Sequence, residues 1–268
     1  MEEINLKNLQ LLQLDLLKKI KNICNDNHLT YYLFFGSLLG CVRHKGFIPW
    51  DDDIDIVMPR DDYEELIDYC LKHEKELKPY GIVHFRNRKK YPIVIAKFEN
   101  SDYEVIDING KKCVYGVNID IYPLDGVGND EKDIVKATNK MNSLRKISDT
   151  VNNKKKKKDN ILVKKIRKCM HFFAYLFIDL VVLYVDKRAK RKKIKDCKYI
   201  GIPCWQTDIG SYFDKSLLGK CYGVFEGEEY PIPEGYDVIL KQIYGDYMKL
   251  PDESQRKLRH VERVYKKD

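Results

Sequence analysis

The eight cysteines of this 268-residue chain include no CxxC pair and keep no regular spacing. That pattern excludes a cysteine-type zinc site and a small disulfide framework, and leads us to expect reduced thiols in a cytosolic protein. No signal-peptide pattern opens the sequence, because Met1-Glu2-Glu3 is acidic and the first apolar residues are spaced. There is no internal repeat, which excludes a solenoid. The longest apolar stretch, Met170 to Val185, would extend roughly 24 Å as a helix, short of the ~30 Å hydrocarbon core of a bilayer. Net positive charge is also confined to one region. The net charge is +8, yet Lys154 to Lys193 holds 15 Lys or Arg against 3 Asp, a local +12 that leaves the remainder near −4. A remainder that is slightly acidic offers no basic track for nucleic acid.

What the chain does have is enough length and apolar content for one large domain, or for one domain with a substantial insertion. Apolar spacing predicts an amphipathic helix over Glu3–Asn27. A strand is expected over Thr30–Phe35, then a Gly36-Ser37 turn, then a helix over Leu38–Arg43. The next strand, Ile54–Met58, is stopped by Pro59, and a helix capped by Asp61 or Asp62 runs to Leu77. Short β runs are expected at Gly81–Arg86, Ile93–Phe98, Tyr103–Ile108 and Tyr115–Tyr122, the last ended by Pro123 and followed by a loop over Leu124–Gly128. Helices are expected at Lys132–Asn152, Tyr236–Tyr244 and after Ser254, the last carrying Arg256, Arg259 and His260.

The run Lys154 to Lys158, the apolar stretch Met170–Val185 and the basic run Lys187–Lys193 form one block. It reads either as a core helix with solvated ends or as a helix lying at the cytoplasmic face of a membrane. In the second case its flanks rest on anionic headgroups, and the flanks favour that reading. A span fits least, since His171 and Asp179 interrupt the stretch.

The chemistry is concentrated in Gly36 to Asp55, GSLLGCVRHKGFIPWDDDID. Asp51, Asp52, Asp53 and Asp55 repel one another unless a cation or a set of donors offsets the charge. Alternation along a strand puts Asp53 and Asp55 on one face about 7 Å apart, with Ile54 and Ile56 facing the core. Gly36 and Ser37 at a helix start would offer N–H groups to a phosphate. Arg43 and Lys45, between the turn and the acids, would meet phosphate or acceptor, and His44 is a candidate base. Asp120 repeats the apolar-acid-apolar pattern and could supply a third carboxylate to a divalent ion, or pair with an arginine instead.

With its GS turn and its DDDID run, the stretch resembles the signature of the LicD family of phosphotransferases. That family is related to the fukutin group and belongs to the nucleotidyltransferase superfamily. The likeness continues through Asp120-Ile121-Tyr122-Pro123-Leu124-Asp125-Gly126. It returns at Phe225-Glu226-Gly227, at Pro231 to Tyr236 and at Tyr244-Gly245-Asp246-Tyr247.

The resemblance implies an α+β nucleotidyltransferase-like fold, a mixed sheet flanked by helices, over 1–131 and 197–268. Residues 132–196 would then be a basic, helical and membrane-associated insertion. It implies Mg²⁺ or Mn²⁺ held by Asp53, Asp55 and Asp120, with Asp52 or His44 as acceptor base. Gly36, Ser37, Arg43 and Lys45 would bind the donor phosphates. The implied reaction is transfer of a phospho-alcohol, phosphocholine above all, from a CDP-linked donor to a sugar hydroxyl of a cell-surface glycan. The acceptor could be lipid-linked and sit at an anionic membrane surface, on the cytoplasmic side. Aromatics of the last third could cage a quaternary ammonium. Two other readings are NMP transfer to a small molecule and an inactive scaffold for surface-polymer assembly.

Overall fold

The computed structural model describes residues 2–139, 161–205 and 212–267, without the side chains of 161–171 and 174. The chain forms two compact units. The first comprises Met1–Val83, Ala96–Leu124 and Phe213–Asp268, and the second His84–Ile95 and Asp125–Tyr212.

In the first unit, strand β1 (Glu3–Ile4) leads into helix α1 (Leu6–Asp26). The Asn5 side chain caps α1 by accepting from the Asn8 N–H at 2.9 Å. Helix α1 buries Leu9, Leu16, Leu17 and Ile20, the apolar stripe that its spacing predicts. Strand β2 is only Tyr32–Leu33, and helix α2 (Phe35–His44) begins before Gly36-Ser37. The expected strand is thus shorter, and the Gly-Ser pair sits inside the first helical turn. Strand β3 (Asp55–Pro59), helix α3 (Arg60–Lys72), the short α4 (Glu74–Leu77), and strands β4 (Tyr80–Val83), β5 (Ala96–Asn100) and β6 (Tyr103–Asp107) follow.

Strand β7 (Val117–Gly128) runs straight through Pro123 and the expected loop. Its pairing with β5 ends at Ile121. Pro123 therefore lies where that side of the strand no longer needs its N–H, which is how a proline is tolerated there.

The main sheet of this unit has the order β2-β3-β7-β5-β4, with β3 and β7 parallel and the other neighbours antiparallel. It is a mixed sheet with helices, the α+β architecture expected. Ile56, Ile121 and Ala96 align across three strands and are buried, as are Ile119 and Phe98 beside them. This row is the sheet's core face.

In the second unit, residues 125–128 of β7 pair with β8 (Tyr199–Gly201). Helix α5 spans Ile161–Ala189, longer than the apolar stretch that marks it. Residues 131–139 are helical. The rest of the helix expected to reach Asn152 lies outside the described residues, and so does the run Lys154–Lys158. No helix among the described residues is long and apolar enough to cross a membrane.

The last stretch returns to the first unit. Strand β9 (Phe213–Asp214) precedes a hairpin of β10 (Lys220–Phe225) and β11 (Glu228–Pro233), and helix α6 covers Tyr236–Tyr244 as predicted. The helix expected after Ser254 is instead a 3₁₀ turn, Glu253–Gln255, followed by strand β12 (Val261–Lys266). Strand β12 pairs with both β1 and β6 and buries Val264. Tertiary pairing of VERVYK overrides its local spacing: Val261, Val264 and Tyr265 do not alternate, and a register shift between Val261 and Arg263 lets the segment sit on the sheet.

Candidate active site

Parallel pairing sets the core of the site. Asp55 on β3 lies in register with Asp120 on β7, and Asp120 in register with Lys97 on β5. Residues in register share a sheet face, so a row of three charges crosses the sheet on the face opposite Ile56, Ile121 and Ala96. Lys97 forms an ion pair with Asp120 and lies 4.6 Å from the Tyr115 ring centroid. Asn118 Nδ2 donates to the same Asp120 oxygen at 2.7 Å. The ion-pair alternative for Asp120 is therefore realised, with a lysine in place of an arginine, and it engages one of the two carboxylate oxygens.

Asp55 is different. It is 6% exposed, and its Oδ1 is buried without any hydrogen-bond partner. The Tyr122 hydroxyl bonds to its carboxylate. Burial first, then Asp53, Asp120 and Asp51, push its carboxyl well above the ordinary range. Asp53 precedes β3, and its Oδ2 lies 3.1 Å from His260 Nε2. Burial raises Asp53 while His260 opposes the rise. Asp51 is pushed up to about 8 by burial and then by Asp53 and Asp52.

The acids are held in place by two helices and a strand. Gln10 and Gln13 of α1 donate to the backbone carbonyls of Asp51 and Asp52, both at 2.9 Å. The Ser37 hydroxyl accepts from the Asp55 N–H at 2.8 Å and is itself buried, so it ties α2 to β3. A Cβ on Gly36 would lie 2.7 Å from Asp51 Oδ2. The glycine leaves room for a carboxylate against the start of α2, where the helix dipole favours negative charge.

Asp52 is 1% exposed and accepts from the backbone N–H groups of Arg259, His260 and Val261 at 3.4, 2.9 and 2.8 Å. It clips the start of β12 to the acid loop, and that is how His260 reaches Asp53.

Arg43, His44 and Lys45 lie at the other end of α2. Six residues of rise separate Arg43 from Ser37, roughly 9 Å. Arg43 donates to the Tyr247 carbonyl at 2.6 Å, and its Nε to His44 Nε2 at 2.9 Å. Burial and then Arg43 hold His44 below the usual imidazole value. The Lys45 carbonyl accepts from the Glu226 N–H, and the Glu226 carboxylate accepts from the Phe47 N–H, both at 2.9 Å. The two late motifs, around Glu226 and Tyr247, therefore hold this end of the helix. The structure brings Gly36, Ser37, Asp51, Asp52, Asp53, Asp55 and Asp120 together and places Arg43, His44 and Lys45 at the far end of α2, where the His44 ring centroid lies 6.4 Å from that of Trp50, the neighbour of Asp51. Phe213 and Phe225 are buried and pack on Phe34 and Tyr230, so these two aromatics serve the core.

Lys97 and His260 are two site residues that the sequence reading missed. A single lysine inside the apolar run Ile93–Phe98 was the available signal for the first. Nothing local marks the second, which arrives from a distant strand.

The donor set suits a hard divalent cation. Asp55 offers a buried, unpartnered oxygen, Asp53 stands beside it, and Asp120 keeps one oxygen free of Lys97. Among the described residues, the acid and histidine ligand atoms gathered within 4.8 Å of one another are those of Asp52, Asp53 and His260, and Asp55 and Asp120 lie outside that group.

Residues 28–146 match the family described as LicD/FKTN/FKRP, nucleotidyltransferase domain. Over its full length the chain is similar to the lipopolysaccharide cholinephosphotransferase LicD of Haemophilus influenzae, 32% identical with 99% of each chain covered. An uncharacterised protein of Rickettsia typhi is 31% identical over 42% of each chain. A mixed sheet carrying paired acids on adjacent parallel strands, together with a full-length relative at this identity, shows that the chain belongs to the LicD family of phosphotransferases.

Proposed function

We propose that the chain transfers phosphocholine from CDP-choline to a sugar hydroxyl of a cell-surface glycan. Asp53, Asp55 and Asp120 would hold Mg²⁺ or Mn²⁺ in this reading. The observation that carries it is the buried, unpartnered Asp55 oxygen beside Asp120 in a row of charges. The similarity to a cholinephosphotransferase supports the donor, and the acceptor is by the same likeness a glycan. Seven described cysteines are free, which supports a reducing, cytoplasmic location where nucleotide-activated donors are available.

The sugar oxygen forms a bond to the choline-bearing phosphorus. The bond from that phosphorus to the bridging oxygen breaks, CMP leaves with the bridging oxygen, and the hydroxyl proton is released to solvent. A bound divalent ion would supply charge neutralisation for the diphosphate as this bond breaks. The residues of the chain do the rest. Lys97 pairs with Asp120, Tyr122 orients Asp55, and Asp52 holds the strand that carries His260 to Asp53. His260 is more than half exposed and marks the solvent side, where an acceptor can approach.

The test is release of CMP with Mg²⁺ present from CDP-choline, CDP-ethanolamine, CDP-glycerol and CDP-ribitol in parallel. The reading expects turnover with CDP-choline. Turnover with one of the other donors alone would overturn the choline assignment, and turnover unaffected by a chelator would overturn the metal.

A further inference from the structure

Helix α5 has two faces that the sequence, apolar all round, does not separate. Ile178 and Val182 are buried and pack with Val94, and Phe85, Val181, Val185 and Cys204 close around them. Ala189 continues that face. The spacing of Ile178, Val182, Val185 and Ala189 is one helical stripe. Shifted by five residues, about 140° around the axis, a second stripe of the same spacing runs through Phe173, Phe177, Leu180 and Tyr184, with Leu176 and Leu183 beside it. These six side chains are between 44% and 64% exposed. Scattered apolar residues on a surface need no explanation, but a contiguous face of this kind marks an interaction site.

The acids that would oppose a membrane are accounted for. Asp179 accepts from the Lys90 N–H at 2.8 Å and pairs with Lys90 Nζ at 3.4 Å. Asp186 is buried and pairs with Lys190 at 2.9 Å. Immediately beyond the stripe, Lys187, Arg188, Lys190, Arg191, Lys192 and Lys193 form a dense cationic run, in which Lys190 and Lys192 pair with Asp186 and Asp133 while Lys187, Arg191 and Lys193 are exposed. An apolar face flanked by this much positive charge is complementary to an anionic bilayer surface and not to a neutral protein partner.

We infer that the Phe173–Leu180–Tyr184 face of α5 lies in the interface of an anionic membrane, with the run after Lys187 on the headgroups, while the opposite face stays in the core of its own unit. The helix lies on the bilayer and does not cross it. This placement requires nothing of the active site. Its test uses no substrate and can fail or succeed independently of the donor assignment.

The experiment is co-sedimentation of the full chain with sucrose-loaded vesicles of phosphatidylcholine, alone or with about a third phosphatidylglycerol, whose anionic surface attracts juxtamembrane basic residues. Binding is expected to be at least tenfold stronger with phosphatidylglycerol and to weaken in high salt. The variant F173S/F177S/L180S should lose binding at least tenfold with an unchanged circular dichroism spectrum, since all three side chains are exposed. K187E/R191E should lose the preference for phosphatidylglycerol. Wild type that ignores vesicles overturns the inference, as does a triple variant that binds equally well. A dimer broken by the triple variant without any vesicle binding would assign the face to a second copy of the chain and overturn it too.

Discussion

Asp55 lies buried beside Asp120 on the sheet of the first unit, whereas Leu180 lies 64% exposed on helix α5 of the second. Each side chain stands where folding alone would not put it. Burying carboxylates next to one another costs several kcal/mol unless charge offsets them, and an exposed apolar face forfeits about 25 cal/mol for every Å² left in water. In the first unit one offset is already present, since Lys97 neutralises Asp120, and the remaining negative charge is what a divalent ion would take. In the second unit no described residue covers the outer face of α5, and a bilayer would. The difference teaches that the two sites ask for opposite ligands, a small hard cation and an extended apolar surface. They should therefore respond to opposite perturbations.

The sharpest way to break the comparison is Asp55→Asn. Activity should fall about a thousandfold, ~4 kcal/mol of transition-state stabilisation, as read by CMP release. The metal-free protein should nevertheless become more stable at pH 8, because a repelled charge is gone. A loss of stability there would mean that Asp55 is not strained.

Lys97→Met acts in the other direction. It leaves Asp120 buried without its partner and should cost about 3 kcal/mol in urea unfolding, part of it recovered by Mg²⁺. Acidity gives the third test. The folded carboxyl of Asp51 is held up at about 8, above the ~4 of an unfolded aspartate. The folded state binds the extra proton, so stability is full below about pH 4 and is lost as pH rises towards about 8. Thermal melts without metal should show this decline. At pH 8 a divalent ion at a hundred times its dissociation constant should restore about 2.7 kcal/mol.

Asp52→Ala should cost about 2 kcal/mol and speed amide exchange at Arg259, His260 and Val261, whose N–H groups it accepts from. The smallest effect on stability is expected from Leu180→Ser, within about 0.5 kcal/mol, although vesicle affinity should drop.

Much of the site is legible in the sequence because its residues are local. The apolar-acid-apolar patterns around Asp55 and Asp120 place both acids on strands, and parallel register then brings them side by side. The spacing of α1 and the span of α6 are equally readable, since amphipathic period and a terminal Gly245 mark them. The rest depends on distant pairing. Pro123 signals a stop, yet β7 continues because its β5 partner has already ended. His260 reads as part of a helix, and only the pairing of β12 with β1 and β6 and the Asp52 clip carry it to Asp53. The two faces of α5 are invisible in a stretch that is apolar all round, because burial of Ile178 and Val182 is decided by Val94 and Phe85 from elsewhere in the chain.

The most direct test of the buried acids as a metal site is a titration of Mn²⁺ into the metal-free chain, followed by electron paramagnetic resonance and free of any donor or acceptor. The account predicts that wild type depletes the free-ion signal, and that Asp55→Asn and Asp53→Asn weaken binding at least a hundredfold. Equal binding by wild type and the Asp55→Asn variant would contradict it.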